Sequence, residues 1–291
     1  MPEGPEIRRE ADAIGAALGG SVLTRVEYHV PGLAARARRL RGATVLRAYS
    51  RGKAMLIEFD NGLTHYSHNQ LYGRWKILPA TRDAARGRRI VRVVLGNDDA
   101  LAVLYSATQV ALLTAAELAR HPFLAKLGPD VLDATTTPAV IRARLADPRR
   151  ARSTLGALLL DQSFIAGIGN YLRSDILFAA GLPHGRRAGS LTPAERRRVA
   201  QAIHAVSHRS YATQGITNTV AHVRRLAAQG VKRGALRFRA YGRAGEACWD
   251  CGARIRRIEA NGRALFFCAQ CQPDSVQQPS RALTRGTSGR T

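Results

Sequence analysis

Four cysteines, all between Cys248 and Cys271, form the tightest set of reactive side chains in the sequence. They fall as Cys248-x-x-Cys251, sixteen residues, then Cys268-x-x-Cys271. Each short pair turns two sulfurs onto one knuckle, and a hairpin between the pairs lets the knuckles face each other around one tetrahedral zinc ion. Scattered pairs would read as disulfides, whereas a tight cluster reads as reduced thiolates on a metal. Four protein ligands close the coordination sphere, so this Zn2+ is expected to be structural and to activate no water.

A second chemistry lies at the start, Met1-Pro2-Glu3-Gly4-Pro5-Glu6. Removal of Met1 ahead of a small residue leaves Pro2 with a free secondary amine. Such an amine attacks an aldehyde-level carbon and forms a charged iminium, the electron sink that a lyase requires. Glu3 is suited to moving protons beside it, with Glu6 one helical turn on. The plain alternative is an ordinary frayed terminus. Gln70, Leu71 and Tyr72 place an amide, an apolar wedge and a stacking ring in consecutive positions. That set suits filling the gap left when a base is extruded from a duplex, or else a strand end buried in the core. Gly167-Ile168-Gly169-Asn170 feeds into a helix, where its N–H groups and the Asn170 amide suit a phosphate. Alternatively, its glycines serve only the close packing of two helices. His65 and His68 have no metal partner or nucleophile nearby in sequence and read as structural.

These residues need a scaffold, and 291 residues suffice for two principal cores and a small appendage. Ile7, Ala11, Ile14 and Leu18 recur at helical spacing, predicting a helix from Pro5 to about Leu18 that ends at Gly19-Gly20. Met55, Ile57 and Phe59 alternate with Ala54, Leu56 and Glu58 before the turn Asp60-Asn61-Gly62, and Ile90–Leu95 and Leu101–Tyr105 flank a second turn. Past His121-Pro122 and Gly128-Pro129 the pattern becomes helical, with starts at Thr137-Pro138 and Thr192-Pro193-Ala194-Glu195. Leu155 to Gln162 and Tyr171 to Ala180 are expected as helices joined by Ser163 to Asn170. The fold expected is thus α+β and multidomain. A β-sandwich with flanking helices spans 1–125, a linker 126–136, a helical domain 137–237, a zinc-binding β-hairpin 238–272 and a disordered tail 273–291.

The net charge is +24, and the sequence pI is about 11.4. Residues 1–150 hold 23 basic against 14 acidic side chains, and residues 151–291 hold 22 against 7, so the second half is the stronger grip. This is the footprint of a nucleic-acid partner, with an arginine-rich compositional bias as the alternative. No apolar run reaches the roughly 18 residues of a membrane span, and the start lacks the layout of a secretory signal. A cytoplasmic location is therefore expected. Lysine occurs only at Lys53, Lys76, Lys126 and Lys232, a scarcity that singles out Lys53 as a compact ammonium where arginine elsewhere supplies the charge, with an ordinary edge-strand lysine as the alternative.

Met1-Pro2-Glu3-Gly4-Pro5-Glu6-Ile7, Arg51-Gly52-Lys53, Tyr66 to Gly73, Leu158 to Leu172 and the four-cysteine finger together resemble the formamidopyrimidine-DNA glycosylase and endonuclease VIII family. The match touches nearly the whole chain to Gln272, and the Asn69-Gln70-Leu71-Tyr72 run resembles its endonuclease VIII branch. The resemblance implies a helix-two-turn-helix domain and a bifunctional DNA glycosylase and abasic-site lyase of base excision repair. It implies a bacterial enzyme, monomeric and at the nucleoid when bound to damaged double-stranded DNA. Pro2 would be the nucleophile, Glu3 the acid/base with Glu6 in support, and Lys53 a catalytic or phosphate-contacting cation. Gln70, Leu71 and Tyr72 would fill the gap left by a flipped nucleotide, and Asn170 and Arg263 would hold phosphates. The branch implies oxidised pyrimidines as substrates, cut by β,δ-elimination. Its rivals are the sister activity on oxidised purines and a non-catalytic zinc-ribbon DNA-binding protein. Residues 215–234 match no motif of the family, although this neighbourhood approaches the damaged base there.

Overall fold

The computed structural model describes residues 2–85, 88–232 and 234–273. The tail expected to be disordered lies outside the described residues except for Pro273. The N-terminal part holds helix α1 (Gly4–Leu18), the short helices α2 (Ala34–Arg38) and α3 (Ala115–Ala119), and strands β1 (Arg25–Tyr28), β2 (Val45–Arg51), β3 (Ala54–Phe59), β4 (Leu63–His68), β5 (Arg74–Pro79), β6 (Val91–Gly96), β7 (Ala100–Tyr105) and β8 (Gln109–Thr114). The strands form two antiparallel sheets, ordered β1-β6-β7-β5 and β2-β3-β4-β8. Both contribute to one core with the apolar stripe of α1: Ile7, Ala11, Ile14 and Leu18 meet Met55, Ile57, Phe59, Trp75, Val93 and Leu95. This is the expected sandwich with its leading helix.

The alternation along β3 is less polar-faced than expected. Ala54 and Leu56, on the face away from that core, are also buried, because the chain after β8 folds back and lays Leu124 against them and Tyr66.

The second part is helical: α4 (Pro138–Leu145), α5 (Leu155–Leu158), α6 (Asn170–Ala180), α7 (Pro193–Ala212) and α8 (Val220–Ala228). Thr137 and Thr192 cap α4 and α7, and Glu195 completes the capping box at α7, as their sequences indicate. Helix α5 departs from expectation by stopping at Leu158 instead of Gln162. Polar side chains compete with its backbone there: Asp161 accepts from Ser163 N at 2.8 Å, and the Gln162 amide donates to Ile168 O and accepts from Gly167 N. The core of this part packs α4, α6 and α7 around Phe164, Ile165, Leu172, Ile176 and Ile203.

The third part is the hairpin β9 (Arg256–Ala260) and β10 (Arg263–Phe267), turned through Asn261 and Gly262, both at positive φ. Arg173, fully buried on α6, fixes that turn: its guanidinium donates to Ala260 O at 3.1 Å, Ala264 O at 3.2 Å and Arg263 O at 3.3 Å. Helix α1 in turn reaches α7, where Arg9 donates to Ser210 O at 2.9 Å and Tyr211 donates to Asp12 at 2.6 Å. No helix among the described residues is long and apolar enough to cross a membrane.

Candidate active site and nucleic-acid cleft

The starts of α1 and α6 meet at one point. Glu3 is the N-cap of α1, and its own N–H donates to Glu6 Oε2 at 3.0 Å. Its carboxylate, only 2% exposed, crosses to α6 and accepts from Gly169 N at 2.7 Å, Tyr171 N at 2.8 Å and Leu172 N at 3.3 Å. The anion site that a helix N-terminus offers is therefore taken by the chain's own Glu3. This explains the Gly-Ile-Gly-Asn turn. A Cβ at Gly169 would stand 2.4 Å from the Glu3 carboxyl carbon, and Gly167, at φ +99, accepts Gly4 N at 2.8 Å. Of the turn's N–H groups expected to hold a phosphate, that of Gly169 is taken by Glu3 and that of Gly167 by Gln162.

Burial pushes the Glu3 carboxyl up to about 7, even though Lys53 and the N–H groups of Tyr171 and Gly169 favour its charged form. A carboxyl at that value is present in both protonation states near neutrality, which suits a proton carrier. Lys53 follows Gly52 in the β2–β3 turn. Burial lowers its ammonium's pKa against the pull of Glu3, and the charge of Arg263 lowers it further. The turn is pinned to the second part by Asp130, whose carboxylate accepts Gly52 N at 2.6 Å. Glu6 accepts the Tyr171 hydroxyl at 2.9 Å and an Arg9 N–H at 3.4 Å.

Pro2, Glu3, Glu6 and Glu10 lie at one side of a cleft of about 1930 Å³ running between the sandwich, the helical part and the hairpin. Its acidic lining comes from this one segment. The basic lining comes from Arg9, Arg74, Lys76, Arg89, Arg92, Arg237 and Arg263, a field that suits a polyanion. Gln70, Leu71 and Tyr72 project into the cleft, with Leu71 61% and Tyr72 74% exposed. Gln70 is held at φ 49 while its amide oxygen accepts the Thr108 hydroxyl at 2.6 Å. The reading of these residues as a buried strand end is thus excluded. Asn170 and Arg263 also line the cleft, although the Asn170 amide donates to Ala264 O at 2.7 Å and accepts from Arg173 at 2.7 Å.

His65 and His68 sit in β4. Burial lowers His65 to about 3, where its ring bonds the Tyr28 hydroxyl at 2.8 Å. Burial, with help from Lys53, lowers His68 to about 4, so both are neutral at physiological pH. Residues 215–234 lie mostly away from the cleft: of this neighbourhood Gln214 and Arg237 line it, while α8 turns aside with His222 against Trp249.

Sequence reasoning missed Arg173, Asp130, Tyr171 and Glu10. Arg173 carried a signal, an arginine inside the apolar run Tyr171–Ala180. The others are ordinary residues until the distant segments they join are known.

At the hairpin, the four cysteine sulfurs lie within 4.8 Å of one another and form no disulfide. Zn–S bonds of about 2.3 Å in a tetrahedron require sulfurs roughly 3.8 Å apart. Cys248 and Cys271 stand at 3.8 Å and Cys251 and Cys268 at 3.4 Å, so the donor set fits zinc.

Residues 1–111 match the formamidopyrimidine-DNA glycosylase N-terminal domain, residues 127–221 the H2TH domain of the same glycosylase, and residues 245–273 a zinc finger found in FPG and IleRS. Endonuclease 8 of Salmonella typhi is 44% identical over 273 residues, and that of Salmonella arizonae 43% over 272; each alignment covers 94% of this chain and 100% of the relative. Among solved structures, Lactococcus lactis Fpg bound to abasic-site DNA matches with a TM-score of 0.75 at 20% identity. The wild-type Lactococcus lactis protein with DNA containing an oxidized pyrimidine does so at 0.75 and 21%. Both cover 94% of this chain and 100% of theirs, and they show a shared fold. With relatives of this identity spanning their whole length, the chain belongs to the formamidopyrimidine-DNA glycosylase and endonuclease 8 family.

Proposed function

We propose that this chain is a bifunctional DNA glycosylase and abasic-site lyase of base excision repair, acting on oxidised pyrimidines in duplex DNA. The observation that carries the reading is the seating of Glu3, a buried carboxyl raised to about 7 beside Pro2 in a basic-rimmed cleft. The cleft takes a bent duplex, and the damaged nucleotide rotates out of the stack. The Pro2 nitrogen bonds to C1′ as the bond from C1′ to the base breaks, and Glu3 supplies the proton that the departing group needs. The proline nitrogen then loses its proton and the C1′–O4′ bond breaks, with O4′ taking a proton, so that the opened sugar is held as an iminium that acidifies its C2′ and then its C4′ protons. Successive β- and δ-eliminations then expel the two phosphates, leaving a one-nucleotide gap. Lys53 adds positive charge behind Glu3, Gln70, Leu71 and Tyr72 fill the gap, and Asn170 and Arg263 hold phosphates. One chain supplies all of these residues, so a monomer suffices.

Duplexes each carrying one lesion test the reading. Thymine glycol and 5-hydroxycytosine should be cut faster than 8-oxoguanine opposite cytosine in single turnovers. The reverse order would make the protein an oxidised-purine enzyme, and cleavage of none would leave a DNA-binding protein without catalysis.

In this reading Cys248, Cys251, Cys268 and Cys271 hold one structural zinc that joins the two knuckles and sets the hairpin bearing Arg263. Metal analysis should find one zinc per chain. Cys268→Ser should lose the metal and weaken DNA binding at least about tenfold, while the sandwich, which has its own core, stays folded. A metal-free preparation of full activity would refute the assignment.

A further inference from the structure

The turn that presents Gln70, Leu71 and Tyr72 is gripped at both ends by one side chain of α1. Glu10 Oε2 accepts the Asn69 side-chain N–H at 2.8 Å and the Trp75 backbone N–H at 3.4 Å, so a single carboxylate oxygen spans the turn. Asn69 is 2% exposed, and its Oδ1 is buried without a partner. The bond to Glu10 is therefore the only hydrogen bond of that amide group among the described residues. Between the two ends the backbone closes tightly. Gly73 N donates to Asn69 O at 2.8 Å, and a Cβ on Gly73 would lie 2.5 Å from that oxygen. Leu71 and Tyr72 are largely exposed, so packing of their own side chains does not place the turn.

Glu3, Glu6 and Glu10 are spaced three and four residues apart along α1, and all three line the cleft. The helix thereby carries the proton carrier at its start and the anchor of the exposed turn two turns further on. We propose that Glu10 is the positioning residue of this turn, fixing the distance between the gap-filling side chains and the reacting end of α1. The proposal rests on the reading of Gln70, Leu71 and Tyr72 as gap-filling residues. Without Glu10, two donors lose their acceptor and the turn drifts relative to Pro2. A wedge that is loose by about 1 Å fills a base-sized hole poorly. The defect should fall on substrates whose base must first leave the stack, since a preformed abasic nucleotide costs less to extrude.

The experiment compares Glu10→Ala, Glu10→Gln and the double variant Leu71→Ala/Tyr72→Ala as full-length, zinc-loaded, N-terminally processed proteins. Substrates are a thymine glycol duplex and the same duplex with a preformed abasic site. Single-turnover rates are read beside the fluorescence of 2-aminopurine next to the orphaned base, which reports insertion of the turn. Glu10→Ala should slow lesion excision about tenfold and diminish the fluorescence change, while abasic-site cleavage shifts by less than about threefold. Glu10→Gln should restore both, because its amide oxygen accepts the same two bonds. Asn69→Ala added to Glu10→Ala should cost little more, since the two residues act as one unit. Wild-type excision and fluorescence in Glu10→Ala, beside a loss in the double variant, would overturn the anchoring role. Equal slowing on both substrates, unrescued by Glu10→Gln, would also overturn it by making Glu10 a general fold residue. An unaffected double variant would instead refute the gap-filling reading itself.

Discussion

Glu3→Gln should slow base removal by about 10²–10⁴-fold, the range that a positioned proton donor contributes. The carboxyl is buried, and an amide in its place turns an NH₂ toward the N–H groups of Gly169 or Tyr171. The loss should be much smaller on a preformed abasic site, where no base has to depart. The pH dependence has a definite sign. The donating form is the protonated carboxyl, whose pKa burial raises to about 7, so wild-type base removal should fall as the pH rises through that value. The residual rate of Glu3→Gln should lack this limb. Gly169→Ala should reproduce the defect, because its Cβ would occupy the place of the Glu3 carboxyl. Undiminished base removal by Glu3→Gln in a single-turnover assay would take the proton-carrying role away from this residue.

A protein that retains Met1 or carries an N-terminal tag should lose strand cleavage by at least about 10³-fold, a loss of the order seen when a nucleophile is removed. In such a chain the Pro2 nitrogen is an amide, whose lone pair is delocalised into the carbonyl and does not attack C1′. The fold should survive. The bonds that seat this segment are donated by Glu3 N and Gly4 N or accepted by the Glu3 carboxylate, and none needs a free terminus. Binding of a lesion duplex in a gel-shift assay should therefore remain near that of the processed protein.

The residues that act through local geometry were legible in the sequence. The Cys-x-x-Cys pairs, the Thr-Pro helix starts and the amphipathic spacing of α1 each depend on neighbours within a turn or a knuckle. Pro2, Glu3 and Lys53 were legible as chemistry, but their selection over a frayed terminus and an edge-strand lysine came from the family resemblance. What stayed hidden depends on contacts between distant segments. Gly169 is glycine because a carboxylate from residue 3 needs the space, a reason that no window around residue 169 contains. The same holds for Glu10, whose partners lie at 69 and 75, and for Asp130, whose partner is Gly52. Helix α5 was overextended because the side chains of Asp161 and Gln162 take up backbone groups that a longer helix would have used. Residues 215–234 match no motif of the family and so carried no readable role, and in the structure α8 packs beside the finger while Gln214 and Arg237 stand at the cleft.

The central claim, that the backbone nitrogen of Pro2 is the nucleophile, is tested most directly by borohydride trapping followed by peptide mapping. The processed enzyme is mixed with a lesion duplex, reduced, digested and analysed by mass spectrometry. The account predicts one covalent sugar adduct, on the N-terminal peptide and at Pro2 itself, and no adduct from protein that retains Met1. An adduct on the peptide containing Lys53, or equal trapping by the blocked protein, would contradict it and move the nucleophile to a side-chain amine.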